Sequence, residues 1–278
     1  MASITDHVKE GLKYPFNDMK MLLVCGVLFA LINAISVFMS VKSFDIFRSA
    51  VHIVEKTNGT ISNLSFSQIP TGDIYLVVGL AIISFIIALF IMGYQYNVVE
   101  FSISKKEDLP EFNDILGMLI RGIKYFLVTL AYNIIPILIL ACGISLFGIS
   151  SIFSVIALIS MIFFIIVFFL LIMAINNMVA YDSIKKAFDF REIIDNISNL
   201  GWAKYIGIII FTFIVYMIIT VAVSFILSFI TIIFTATISN QALIVSIFIA
   251  VIEGLFLSSY GAIFYNRVCG LIYLESIK

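Results

Sequence analysis

The sequence predicts an all-α integral membrane protein. Its six transmembrane helices form three hairpins, each preceded by a short cytoplasmic amphipathic helix. Three observations predict this. The 278 residues are 62% hydrophobic and only 12% charged, with a mean hydropathy of +1.17. Six apolar runs are each long enough to cross a bilayer. One short phrase recurs ahead of alternate runs.

Composition decides the solvent. A soluble domain carries roughly 25% charged residues. A chain with half that fraction cannot cover its apolar surface in water, so the surplus faces lipid. Net charge is −1, from 16 basic and 17 acidic residues, and leaves no electrostatic footprint for nucleic acid. The first residues carry Asp6, Lys9, Glu10, Lys13, Asp18 and Lys20 with no apolar h-region, so no cleavable leader is expected. The cysteines, Cys25, Cys142 and Cys269, map to both membrane sides and read as small apolar residues, not a disulfide framework. His7 and His52 stand without neighbouring ligand types, so no metal and no cofactor are expected.

A helix crosses the hydrocarbon core in about 20 apolar residues. The candidate spans are 21–41, 74–98, 124–146, 152–180, 205–234 and 242–266. The connections alternate in charge. CGISLFGISS and TATISNQ carry none, whereas 99–124 and 181–204 hold Lys105, Lys106, Arg121, Lys124, Lys185, Lys186, Arg191 and Lys204. With the two tails, thirteen basic residues fall on one side; only Lys42, Arg48 and Lys56 fall on the other. That bias places both termini in the cytoplasm and the loop 42–73 outside a cytoplasmic (cell) membrane. The loop contains glycosylation sequons at Asn58 and Asn63. Phe44, Phe47, Val51 and Val54 recur at helical spacing, so the loop is expected to begin as an extension of the first span.

The repeated phrase is PFNDM at 15–19, EFNDI at 111–115 and DFREI at 189–193. The pattern is Phe, any residue, acid, then Met or Ile: Phe16 with Asp18, Phe112 with Asp114, Phe190 with Glu192. Each copy precedes an odd-numbered span, and asparagines at Asn97, Asn176, Asn177 and Asn266 mark the cytoplasmic exits of the even-numbered spans. The chain therefore reads as one membrane domain, 1–278, built of three units: 1–100 (with the outer loop 42–73), 101–182 and 183–278. Apolar residues of the leading segments share one face: Ile4, Val8 and Leu12; Phe112, Ile115, Leu116, Leu119 and Ile123; Phe190, Ile193, Ile194 and Ile197. Asp108 is expected to cap a helix beginning at Leu109-Pro110, and Asn17 to cap the first span. A phenylalanine anchor and an acidic cap explain the phrase without any ligand.

These residues also carry a resemblance. Ala187-Phe188-Asp189-Phe190-Arg191-Glu192-Ile193, Lys13-Tyr14-Pro15-Phe16, and Gly93-Tyr94 followed by Leu109-Pro110-Glu111-Phe112 resemble the multi-pass membrane family known as domain of unknown function 4013, common in archaea. The resemblance covers nearly the whole chain. It implies a cytoplasmic-membrane protein of about six helices, with no established activity and no catalytic residues to carry over. The 42–73 loop is an elaboration on that pattern.

One ionisable residue lies well inside a span. Glu253 sits near the middle of the sixth helix, where a charge costs at least ~2.5 kcal/mol. Ser246 and Tyr260 are its local hydrogen-bond candidates on a regular helix. Thirteen residues before Asn97, Asn177 and Asn266 stand Ser84, Phe164 and Glu253, so the acid breaks the repeat. It reads first as an interhelical hydrogen-bonding group, second as a carrier of protons, cations or polar solutes. Asn133 with Pro136 marks a polar, kink-prone point in the third span. Tyr94, Tyr96, Tyr125, Tyr181, Trp202, Tyr205 and Tyr265 read as an interfacial aromatic belt. Neither a phosphate-binding glycine loop nor a H-E-x-x-H motif occurs, and no second intramembrane acid pairs with Glu253. An enzyme is therefore the least favoured class. A structural, accessory or scaffold protein comes first, with the bilayer and other membrane proteins or further copies of itself as partners. A transporter or pore for a small solute, ion or lipid comes second.

Overall fold

The computed structural model describes residues 3–57, 71–145, 152–237 and 242–278. Among them the secondary structure is helical, without strands. A short helix α1 (Ile4–Lys13) and a 3-10 turn (Tyr14–Asn17) lead into α2 (Met19–Thr57). There follow α3 (Thr71–Ile103), α4 (Ile115–Ser145) and α5 (Ile152–Ala180). A second 3-10 turn (Ile184–Phe188) introduces the short α6 (Phe190–Leu200) and then α7 (Trp202–Thr237). The last span combines α8 (Ala242–Ile252), a π-helical turn (Glu253–Ser258) and α9 (Ser259–Ser276).

Six helices are long and apolar enough to cross a membrane: Met19–Ile53, Thr71–Ile103, Ile115–Gly143, Val155–Ala180, Trp202–Phe234 and Ala242–Ser276. Each window is strongly hydropathic yet mostly not buried by protein, which is the signature of lipid-facing helices. In α7, Phe213, Val221 and Phe225 are all more than 60% exposed, as no water-soluble packing would tolerate in a row. The first span, α2, runs unbroken through Phe44 and Phe47 to Thr57, the helical extension that the spacing of those residues predicts. The sequons at Asn58 and Asn63 lie outside the described residues, as does the side chain of Val54.

The chain forms two compact units. The larger comprises Met1–Met21, Met92–Met217 and Gly261–Lys278; the smaller comprises Leu22–Ile91 and Ile218–Tyr260. In the larger unit α4 and α5 pack as a hairpin, with α6 against α5. The α1 helix buries His7, Val8 and Gly11, the last against Val268 and Phe264 of α9. A Cβ built on Gly93 of α3 would collide with the Met118 carbonyl of α4, so these two backbones touch only because Gly93 lacks one. In the smaller unit, Gly26 of α2 meets the Leu255 carbonyl, and Gly254 meets the backbone of Phe29 and Ala30.

The repeated phrase behaves differently in each copy. In the first, the cap of α2 is Asp18, whose Oδ1 accepts from Met21 N at 3.0 Å; Asn17 instead donates to the Glu107 carbonyl at 2.9 Å. In the second, Asp114 accepts from Gly117 N at 2.9 Å and α4 starts at Ile115. No helix begins at Leu109-Pro110. Both residues are buried, the Asp108 carbonyl accepts from Tyr14, and the stretch plugs the interior as an irregular segment. Nor is there a separate leading helix at 112–123. Nothing breaks the helix between Ile115 and the span, so Ile115, Leu116 and Ile123 sit exposed on α4 itself. In the third, the acid of the phrase does not cap. Asp189 caps α6 through Glu192 N at 3.3 Å, while the Glu192 carboxylate pairs with Lys186 at 2.5 Å. Gly201, at φ 93°, then turns the chain from α6 into α7. Phe16 and Phe190 are exposed, but Phe112 stacks on Tyr94 at 4.5 Å.

Candidate functional site

Glu253 opens the π-helical turn of the last span and is half-buried. Such turns add a residue to the helical repeat and recur at functional positions. The added residue rotates everything beyond it, so the regular-helix alignment of Glu253 with Tyr260 is lost. Among the described residues no hydrogen bond or ion pair of the Glu253 carboxyl is found, to Tyr260, to Ser246 or to a neighbouring helix. Ser246 is exposed and donates to its own helix at Ala242 O, 2.9 Å. The polar contact at this turn comes from elsewhere. Asn33 of α2 donates to the Ala250 carbonyl at 3.3 Å. Gly26, Ala30 and Asn33 form one stripe of α2, facing Ala250, Gly254 and Leu255. A Gly26-x-x-x-Ala30 and an Ala250-x-x-x-Gly254-x-x-x-Ser258 spacing signalled this contact in the sequence.

Asn133 belongs to the larger compact unit, while Glu253, Ser246 and Tyr260 belong to the smaller one. The Asn133 amide donates to Thr129 O at 2.8 Å, and Ser160 of α5 donates to the carbonyl of Pro136 at 2.8 Å. Both line a groove of about 820 Å³ between α4, α5 and α7, otherwise walled by aliphatic and phenylalanine side chains.

The densest polar chemistry lies in the larger unit, where the long helices end. Asn97 accepts from Arg121 at 3.0 Å, and Arg121 also reaches Asp114 at 3.6 Å. Asn177 donates to Lys186 O at 2.9 Å and accepts from the Tyr273 hydroxyl at 2.9 Å. Glu275 of α9 joins Lys204 at 2.8 Å to His7 at 2.6 Å. Arg267 is 3% exposed. It bonds Glu10 at 2.6 Å and Lys106 O at 2.8 Å, and its guanidinium lies 4.1 Å from the centre of the Tyr14 ring. Burial pushes the Tyr14 hydroxyl up to about 12, against the pull of Arg267, so it stays a neutral donor to Asp108 O at 2.8 Å. In the sequence Arg267 counted only as one of the thirteen basic residues assigned to the cytoplasmic side; no pattern marked it as buried.

The aromatic belt needs the same correction. Tyr94, Tyr96 and Tyr205 are buried inside the protein, not set at a lipid interface. Two of these keep their hydroxyls bonded, as buried tyrosines usually do. Tyr96 donates to Asp182 at 2.7 Å and Tyr205 to Phe169 O at 2.6 Å. Only Tyr181 and Trp202 of the predicted set are clearly exposed.

Comparison with known proteins places this architecture. Residues 76–228 match the family model described as "Protein of unknown function (DUF4013)". An uncharacterised protein of Methanocaldococcus jannaschii, MJ1189, is 26% identical over 297 aligned positions, covering 100% of this chain and 99% of the relative. No solved structure matches.

Proposed function

The chain belongs to the family of unknown function DUF4013, and from that premise we propose that it is a non-enzymatic structural or accessory component of the cytoplasmic membrane, a scaffold for other membrane proteins or for further copies of itself. The observation that carries this reading is Arg267, which ties α1, the 104–114 segment and α9 together through Glu10, Lys106 O and Tyr14. Segments joined by charged bonds to a buried arginine make a stiff platform. The proposal includes both termini in the cytoplasm, the 42–73 segment outside, and an origin in three repeated hairpins, of which the first and third keep a short leading helix, α1 and α6. The recurring acidic caps Asp18 and Asp114 and the buried Asn97, Asn177 and Asn266 support that origin. Purification of the tagged full-length chain from its membrane in nanodiscs tests the reading. A stoichiometric membrane-protein partner, or a defined oligomer, is the expected outcome. A lone monomer that drives solute flux in liposomes overturns it.

A second reading, transport of a small solute, ion or lipid, is favoured by Glu253 at the π-helical turn, a half-buried carboxyl with no bond among the described residues. Proton flux in liposomes is its measure: Glu253→Gln abolishes flux if the reading holds, and unchanged flux sinks it.

A further inference from the structure

The groove beside Asn133 does not end in lipid. Along α5 it is lined from Ala157 through Phe164 to Phe168 and Leu171. Phe168 and Leu171 also line a second, smaller cavity of about 80 Å³, which continues along α5 past Ile172 to Asn176 and meets Tyr125, Tyr265 and Cys269. From Ala157 to Asn176 the helix rises ~28 Å, close to the thickness of the hydrocarbon core. The groove and the small cavity thus adjoin along α5 at Phe168 and Leu171 within the larger compact unit, and polar side chains line the end of this small chamber.

The chamber holds an orphan. Asn176 is 1% exposed; its amide nitrogen donates to Ile172 O at 2.7 Å, but its Oδ1 has no partner. A buried acceptor left unmade costs about 1–3 kcal/mol, so one that persists on a residue lining a cavity points to a missing donor. Tyr125, Tyr265, Cys269 and Asn266 add neutral polar groups around it. Among the described residues no lining side chain of either cavity is charged. A phosphate would find no arginine or lysine, and an ammonium would find no carboxylate, so neither charged head could be desolvated there. The matching head is a neutral hydroxyl, which donates to Asn176 Oδ1.

We propose that this groove and chamber bind a lipid with a long hydrocarbon chain and a neutral hydroxyl head, the chain lying along α5 and the hydroxyl bonded to Asn176. The test uses a long-chain fatty alcohol carrying a diazirine at its chain end, photolysed with the purified full-length protein in nanodiscs and mapped by peptide mass spectrometry. Label is expected to concentrate on the groove face of α5 around Ala157, Met161 and Phe164. The unlabelled alcohol competes, whereas the matched alkyl phosphate and alkane do not. Asn176→Leu lowers labelling about fivefold, the ratio that ~1 kcal/mol of lost hydrogen bonding corresponds to. Met161→Trp, at a position 61% exposed and so tolerant of bulk, fills the groove and lowers labelling without touching the chamber. Label spread evenly over the exposed faces of α2 and α7, or equal competition by alkane or phosphate, overturns the proposal. So does undiminished labelling in a folded Asn176→Leu protein, which would leave a chamber filled by water alone.

Discussion

The side-chain amide of Asn33 donates to the main-chain carbonyl of Ala250 at 3.3 Å, one turn ahead of the π-helical turn that begins at Glu253. A π-turn interrupts the regular ladder of backbone bonds, and in lipid a disturbed carbonyl has no water to fall back on. The amide of a neighbouring helix compensates. Asn33→Leu keeps the volume and removes the donor. The expected cost is about 1 kcal/mol in unfolding measured in detergent or nanodiscs, with faster amide exchange near Gly254. Wild-type stability and exchange would show that the π-turn holds without α2.

The same contact depends on two missing side chains. A Cβ at Gly254 would meet the backbone of Ala30 and Phe29, which cannot swing aside as a side chain would. Gly254→Ala should lose about 1–3 kcal/mol, the usual range for overpacking. Gly79 on α3 has nothing within 4 Å of such a Cβ, so Gly79→Ala should leave stability unchanged or raised. Thermal melts of the two variants in one detergent compare them directly; equal losses would refute close packing as the reason for Gly254.

The six apolar runs were legible because bilayer thickness acts on the chain locally: twenty apolar residues mean the same thing wherever they stand. Their ends were less so. The third span was expected from residue 124, but its helix begins at Ile115, because the capping acid is Asp114 and a charged turn such as Arg121-Gly122-Ile123-Lys124 can remain helical outside the apolar window. Glu253 was visible as an isolated acid; the π-turn that uncouples it from Tyr260 was not, since it follows from close packing with Gly26, Ala30 and Asn33 more than two hundred residues away. Arg267 and Tyr94 resemble surface arginines and interface tyrosines in sequence. Their burial is a tertiary fact, decided by Glu10, Lys106 and Phe112.

Acid should weaken one tie between segments. Lys124 and the Tyr96 hydroxyl both bond Asp182, and their hydrogen bonds hold its carboxyl below the usual aspartate range. A depressed carboxyl contributes stability that is present above the unfolded pKa, roughly 3.9, and is lost as pH falls through the folded value. The Asp182 side chain is largely exposed, so the effect is small. The melting difference between wild type and Asp182→Asn should be constant near neutrality and shrink below about pH 4. A difference that grows on acidification would contradict this assignment.

Arg267 and Glu10 form an unequal pair, and the inequality makes a sharper prediction. The Arg267 side chain is 4% exposed, the Glu10 side chain 51%. Removing the arginine leaves a carboxylate that water can solvate. Removing the negative charge leaves a buried guanidinium whose Nε already lacks a partner, facing only a neutral amide oxygen, Lys106 O and the Tyr14 ring. Glu10→Gln should therefore cost about 1–2 kcal/mol, less than the 3–5 kcal/mol typical of breaking a fully buried pair because Glu10 is half in water. Arg267→Met places an apolar chain in an apolar site but frees α1 from the Lys106 segment. In the double variant Glu10→Gln should add almost nothing further, since no buried charge remains for it to expose. A double-mutant cycle on unfolding free energies reads this out; strictly additive losses would mean that Glu10 and Arg267 do not act on one another.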